Sequence, residues 1–511
     1  MTRIAIDPGR PVGRLDRKVF GGFVEHLGRC IYGGLYEEDS PLSDDRGFRK
    51  DVLGLLRELR LGVLRWPGGN FVSNYHWTDG VGPKDARPRR PELAWGGEES
   101  NRFGTDEFLA YCAELGTEPY ICLNMGTGTL AEALAWVEYC NSAGRTAWAQ
   151  RRRENGRDEP YRVTYWELGN EMYGDWQVGA LSAEEYVREA TRWARAIRML
   201  DPQAKIVACG MNGWNEWDRV VIDGMASLVD YHSLHIYTGS DDYWTNVLQP
   251  HQAERAIRCT QALLQRAAYK QKTATPPRIA YDEWNVWFRH MTGALEERYT
   301  FTDALAVGTY LNIFTRNCDW VRMACLAQMV NAIAPIVTSP EAAAVQPIWY
   351  PVLLHAQAAL DLAVDVHVSG PTVSPDLPGQ ASRWPFRVAD LGPFGLIDAA
   401  ATVNARDVSA NSGTGGATAR AGNGQGRVAV TLVNRSPSEP EVAELLLRDH
   451  VFDGPAVIRT VTAGLLRDAR TLPDVETAQL EEGTEDTRDG VVVVRLPPRS
   501  FTVIEATMTT R

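Results

Sequence analysis

The sequence predicts an α/β protein: a (β/α)8 TIM barrel with a C-terminal antiparallel β-sandwich domain. Three observations carry this. Eight short apolar runs alternate with helical patterns between residues 18 and 365. From about 366 the texture changes to period-two alternation broken by Gly, Pro, Asn and Asp. No GxGxxG follows the first run, which removes the main reason to prefer a doubly wound open sheet.

Residues 1–17 hold one strand-like segment, RIAID (3–7). A barrel closed by its own eight strands offers no edge, so this strand is assigned to the sandwich. The barrel occupies 18–365. Its strands are read at VFGGFV (19–24), LGVLRW (61–66), PYICLN (119–124), VTYWEL (163–168), KIVACG (205–210), HSLHIY (232–237), RIAYDE (278–283) and RMACLA (322–327). Their nearly continuous apolar character fits a parallel sheet covered by helices. Thr129 with Glu132, and Ser182 with Glu185, have capping-box spacing. The second pair opens a helix with Tyr186, Ala190, Trp193, Ala194 and Ile197 on one face. The sandwich, 366–511, is read from VDVHVSG (364–370), RVAVTLVN (427–434), PAVIRTVT (455–462) and VVVVRLPPRSFTVIEA (491–506). Within it, 409–426 is read as a flexible loop without core-forming residues.

The 511-residue chain carries 53 Lys+Arg against 65 Asp+Glu, a net charge of −12. An acidic chain without a basic block is a poor partner for nucleic acid or an anionic membrane. No apolar run is long enough to span a bilayer, and MTRIAIDPGR lacks the apolar core of a secretory signal, so a cytoplasmic location is expected. The eight cysteines form no CxxC pair and mostly lie in apolar segments, as buried free thiols do.

In such a barrel the chemistry sits where the strands end. Those positions hold Glu25, His26, Arg65, Asn70, Asn124, Asn170, Glu171, Asn212, Tyr237, Glu283, Gln328 and Asn331. A ring of amides and carboxylates suits a ligand with many hydroxyls, each of which donates and accepts. Glu171 and Glu283, after strands four and seven, form the carboxylate pair that glycoside hydrolysis requires. One must hold a proton for the leaving oxygen, and the other must attack as an anion. Asp282, next to Glu283, is expected on the opposite face of its strand, whereas Glu167 shares the parity of Glu171. His232 and His235 are three apart on a strand, cannot chelate one ion, and are read as buried, hydrogen-bonded histidines. No metal or other cofactor is expected.

FGGFVEHLGRCIYGGLYE (20–37), RWPGGNFVSNYHWTDGVGP (65–83), EESNRFGTDEF (98–108), WELGNEMYG (166–174), LHIYTG (234–239) and YDEWNVW (281–287) together resemble glycoside hydrolase family 51, the α-L-arabinofuranosidases of the retaining clan A. The resemblance runs over the whole barrel and continues into VTLVNRS (430–436). It implies that Glu171 is the general acid/base and Glu283 the nucleophile. It implies that Glu25, Asn70, Asn170 and Gln346 hydrogen-bond the arabinofuranose hydroxyls, and that Trp95 and Trp287 form aromatic walls. Tyr237 would contact substrate and nucleophile, and Arg65 would be a cation beside the nucleophile. Pro347 departs from the small or polar residue usual after Gln346. The resemblance further implies hexamers that need no metal.

The expected function is exo-hydrolysis, with retention, of terminal non-reducing α-L-arabinofuranosyl groups from arabinose-containing oligosaccharides. The alternatives are a β-xylosidase or endoglucanase on the same scaffold, or a non-catalytic carbohydrate-binding relative. An aryl glycoside panel separates them.

Overall fold

A computed structural model describes residues 1–289, 295–375, 388–405, 425–464 and 476–511. All eight predicted barrel strands form and close on one another in parallel, in the order one to eight. They are Gly21–Phe23, Val63–Trp66, Glu118–Leu123, Tyr165–Leu168, Lys205–Ala208, Tyr231–Thr238, Arg278–Val286 and Val321–Ala327. Strands such as Tyr165–Leu168 are buried at every residue, because one face packs inside the barrel and the other under helices.

The helices follow their local signals. Ser182 accepts from the Glu185 N–H while the Glu185 carboxylate accepts from the Ser182 N–H at 3.0 Å, and the expected face of Ala183–Leu200 is buried. Thr129 caps Leu130–Asn141, but its box stays half made. The Glu132 carboxylate lies instead 3.0 Å from Nδ1 of His76. Helix Phe301–Arg316 is buried almost throughout, since it lies between the barrel and the C-terminal sheet. A Cβ on its Gly308 would come within 2.8 Å of the Phe501 ring, so only glycine permits that approach.

The second layer is one continuous nine-stranded sheet. Its order is Ala478–Glu485, His450–Ala463, Ser500–Thr510, Gln425–Asn434, Ile397–Val403, Leu362–Ser369, Thr2–Arg14, Glu441–Leu447 and Val492–Leu496. The N-terminal strand lies inside it, antiparallel to Leu362–Ser369 and parallel to Glu441–Leu447. The remaining pairings are antiparallel, and the sheet folds over a core that includes Ile4, Ile6, Val430, Leu445 and Ile504. The segment read as one run at 491–506 is two strands broken at Pro497 and Pro498, with Arg499 left-handed at φ 49°. The first half lies at an edge and the second in the interior. The loop read at 409–426 falls outside the described residues up to 424, and Gln425 and Gly426 already belong to a strand. All eight cysteines are unpaired. No helix among the described residues is long and apolar enough to cross a membrane.

Candidate active site

The site starts from Arg65, which alternation on strand two turns into the barrel. It is fully buried, so its charge must be met by anions and acceptors. Its Nε donates to Glu167 Oε2 at 2.8 Å, Nη1 to Glu283 Oε1 at 2.7 Å, and Nη2 to Asn170 Oδ1 at 2.7 Å. Burial alone would favour the neutral form, but the carboxylates of Glu167 and Glu283 outweigh it and hold Arg65 firmly protonated. One guanidinium thus ties strand two to strands four and seven.

Strand seven departs from alternation. Against strand six, Ala280 pairs with Ser233 and Glu283 with His235, so three steps match two. Against strand eight, Tyr281 pairs with Ala324 and Trp284 with Leu326, the same mismatch. This is a β-bulge, and it turns Asp282 inward along with Glu283. The expectation that Asp282 points away is therefore corrected. Asp282 accepts from the Tyr120 hydroxyl at 2.6 Å and lies 3.3 Å from Nε2 of His235 and 4.0 Å from Nε of Arg65. Glu283 Oε2 accepts from the Tyr237 hydroxyl at 2.8 Å. Burial and the nearby Glu283 charge raise the phenol of Tyr237 well above its ordinary value, so it remains a donor.

Strand four ends in Gly169 and Glu171 at φ 75° and 45°. The left-handed turn at Glu171, costing on the order of 1–3 kcal/mol, aims its carboxylate across the barrel mouth. Oε2 accepts from Trp176 Nε1 at 3.0 Å, and Oε1 lies 3.0 Å from His235 Nδ1. Here the structure differs from the expectation that Glu171 holds a proton near neutral pH. Burial pushes its pKa up, but the bond and charge of His235 outweigh burial and hold it below the usual carboxylate range. Glu167, one turn of alternation deeper, is pushed up to about 7 by burial despite Arg65.

Strand one brings in Glu25. Its Oε1 accepts from the Phe71 N–H at 2.9 Å and from Trp95 Nε1 at 3.0 Å, and its Oε2 from Gln328 Nε2 at 2.9 Å. Burial raises it to about 8. A Cβ on Gly69 would lie 2.2 Å from Oε2, so the glycine clears the seat for this carboxylate. Asn70 accepts from the amide of Gln177, which in turn accepts from Ser73 at 2.7 Å. Asn170 keeps a buried Nδ2 without a protein partner, a donor at the edge of the site.

These groups face a cavity of about 930 Å³. Of the residues expected to bind substrate or orient the nucleophile, Glu25, Asn70, Trp95, Glu171, Tyr237, Glu283 and Trp287 line it, and Arg65 and Asn170 lie just behind. The Trp287 ring stands edge-on to Tyr237 at 5.2 Å. Gln346 is not brought there. It is fully buried, its Oε1 accepts from the Tyr299 N–H at 3.0 Å, and its Nε2 donates to the carbonyls of Glu297 and Ala334 at 3.1 and 2.7 Å. With its whole amide spent on main chain, it props the loop after strand seven. Asn124, Asn331 and His26 are likewise spent within the protein.

Trp176 and Trp214, which sequence reasoning passed over, also line the cavity, as does His235, read from the sequence as buried and hydrogen-bonded but not as part of the site. His235 shares the parity of Tyr237, and that signal could have placed it inside. His232 faces the other way and meets Asp218 at 2.8 Å. His232 and His235 do not share a cluster, but His235 joins two groups of carboxylates at the strand ends. Ligand atoms of Glu171, His235 and Glu283, and of Glu167, His235 and Asp282, lie within 4.8 Å of one another. In both groups, however, Arg65 and His235 already supply positive charge to the carboxylates.

Residues 55–255 match the family described as Alpha-L-arabinofuranosidase 1 domain, and residues 282–491 match Alpha-L-arabinofuranosidase C-terminal domain. The chain is 48% identical over 387 residues to Alpha-L-arabinofuranosidase C of Emericella nidulans, covering 72% of this chain and 76% of that protein. It is 38% identical over 388 residues to the Intracellular exo-alpha-(1->5)-L-arabinofuranosidase of Halalkalibacterium halodurans, covering 72% and 78%. The arabinose complex of the α-L-arabinofuranosidase from Thermotoga maritima superposes with a TM-score of 0.86 at 38% identity, over 99% of both chains.

Proposed function

The chain belongs to the α-L-arabinofuranosidases of glycoside hydrolase family 51 and acts as one on arabinose-containing substrate, and from its geometry we propose how it does so. It removes terminal non-reducing arabinofuranosyl groups from oligosaccharides by double displacement with retention. Glu283 attacks the anomeric carbon and Glu171 protonates the leaving oxygen. Glu171 then takes a proton from water as that water hydrolyses the glycosyl ester.

One observation carries this reading: one carboxylate oxygen of Glu171 and one of Glu283 lie within 4.8 Å of each other across the cavity. A retaining pair stands about 5–5.5 Å apart, whereas an inverting pair needs about 6.5–9.5 Å to admit a water. The donors Arg65 and Tyr237, one on each Glu283 oxygen, fix the attacking carboxylate. Glu25, Asn70 and Asn170 supply the polar contacts for the sugar, and Trp95 and Trp287 its walls.

The test is NMR of the first-formed product from an aryl α-L-arabinofuranoside, run beside β-xyloside, β-galactofuranoside and β-glucoside. The α-anomer is expected first; a first-formed β-anomer overturns retention. The same reading holds that no metal takes part, so activity survives dialysis against EDTA. A loss that zinc, calcium or magnesium restores overturns that part. It also places the protein in the cytoplasm as a homohexamer, which fractionation of the source cells and light scattering check.

A further inference from the structure

Beneath the two glutamates lies a layer of charge that the double displacement leaves without a task. His235 stands at its centre. Strand four presents Glu171 and Glu167 to it, and strand seven presents Asp282 and Glu283. Arg65 holds Glu167 and Glu283 from strand two, Tyr120 holds Asp282 from strand three, and Tyr237 on strand six holds Glu283. Nδ1 of His235 is 3.0 Å from Glu171 Oε1 and 3.6 Å from Glu283 Oε2. Nε2 is 3.3 Å from Asp282 Oδ1, an ion-pair distance without hydrogen-bond alignment, and neither of these two atoms has a hydrogen-bond partner elsewhere. Both ring nitrogens therefore face carboxylate oxygens. A neutral imidazole would aim a lone pair at one of them; only the doubly protonated ring suits both.

We propose that His235, held by Asp282, stores the proton that Glu171 delivers to the leaving oxygen, so that Asp282, His235 and Glu171 form a proton relay. This rests on the roles given above to Glu171 and Glu283. Asp282 is a positioning residue, brought into reach by the bulge in strand seven. In the resting protein the proton sits on Nδ1 and Glu171 is a carboxylate. As substrate fills the cavity and its glycosidic bond lengthens, the N–H bond at Nδ1 breaks, leaving its electron pair on nitrogen, and an O–H bond forms at Glu171. That hydroxyl gives its proton to the departing oxygen. His235 is then neutral with Nε2–H still directed at Asp282, and Glu171 is again a carboxylate, ready to take a proton from water. After the ester is hydrolysed, that proton returns to Nδ1.

The directions of titration agree. Burial opposes the imidazolium, yet the Glu283 charge and the contacts with Asp282 and Glu171 raise His235 well above its ordinary value. Asp282 is fully buried and still held low, by His235 and Arg65.

Two measurements test the relay. In nitrogen-15 NMR of the histidine-labelled wild type, with the signal assigned by His235→Asn, both His235 nitrogens should be protonated at pH 7. A neutral tautomer overturns the proposal, and the protonation state itself is read on the wild type. Asp282→Asn should then lower kcat/KM by about tenfold or more for an alkyl arabinofuranoside, whose leaving group needs a proton. For a dinitrophenyl arabinofuranoside the loss should stay under about threefold. The basic limb of the profile should move down by about one pH unit, because removing the anion makes the stored proton easier to lose. Equal losses on both substrates, or an unmoved limb, overturn it. Wild-type turnover of both substrates is measured first and tests the underlying family reading separately.

Discussion

In the double displacement proposed above, Glu171 serves two steps. His235 holds it below the usual carboxylate range, it sits at a left-handed residue, and it is braced by Trp176 on one oxygen and His235 beside the other. Replacing it with alanine removes acid and base together, but the two steps need them unequally. Glu171→Ala should cost about 10²–10⁴-fold on substrates with poor leaving groups. An activated aryl arabinofuranoside should still form the glycosyl ester, which then accumulates because water lacks a base. Added azide should restore turnover and yield the α-configured azide. Equal losses on good and poor leaving groups, without azide rescue, would move the acid role to another residue. The strand ends made the placing of Arg65, Glu171, Tyr237 and Glu283 legible, since each stands where a strand reaches the mouth. Asp282 was not legible: the extra residue of a bulge depends on how two neighbouring strands pair, and no local pattern records that. Gln346 failed for a different reason. A motif position says which amide is near the site, but its competition with three main-chain groups appears only once the loops are packed.

At the scale of elements, the loop from Gly169 to Leu181 carries Glu171, Trp176 and Gln177, and its far end is anchored by the cap at Ser182. The Leu181 N–H also donates to the Met172 carbonyl at 2.8 Å, closing the loop on itself. Ser182→Ala removes the side-chain half of the reciprocal cap, leaving the backbone N–H bond to Glu185, and should cost about 1 kcal/mol of stability. Since Arg65, His235 and Tyr237, all on barrel strands, hold the active-site carboxylates independently of the cap, kcat/KM should fall by less than about threefold at a temperature well below unfolding. Chemical denaturation beside steady-state kinetics checks both. A large kinetic loss without a stability loss would mean that the cap, and not the barrel mouth, sets the position of Glu171. The cap at Ser182 was legible because all its parts lie within four residues. The half-made box at Thr129 was misread because Glu132 finds His76, fifty-six positions away in sequence, a partner that periodicity cannot supply.

The whole molecule is held by the junction of barrel and sheet. Helix Phe301–Arg316 is buried between them, and Arg316 and Arg435 both reach Asp398, at 2.9 and 3.1 Å. The last barrel helix, Trp349–Ala358, adds His355, whose ring packs near Phe20 and Phe501 and whose Nε2 lies 3.0 Å from the Thr315 hydroxyl. Burial, helped by the charge of Arg17, depresses His355 to about 3. The folded protein thus refuses a proton that the unfolded chain accepts below about pH 6.5. The sign follows: between about 6.5 and 3, falling pH favours unfolding through this residue, by about 1.4 kcal/mol per pH unit for one proton. The wild-type curve alone will not reveal this. Glu25 and Glu167, raised to about 8 and about 7, act in the opposite sense as pH falls to about 4.5. The difference between two proteins will. His355→Gln keeps a polar group for Thr315 and cannot titrate. Whatever it costs at pH 7.5, it should gain on the wild type steadily as pH falls from 6.5 to 4.5, with the gap in apparent melting temperature narrowing or reversing. Carboxylate contributions cancel in that difference, because neither Glu25 nor Glu167 touches His355. A gap that stays constant from pH 7.5 to 4.5 would show that His355 takes up its proton in the folded state, and that the junction opens to water there.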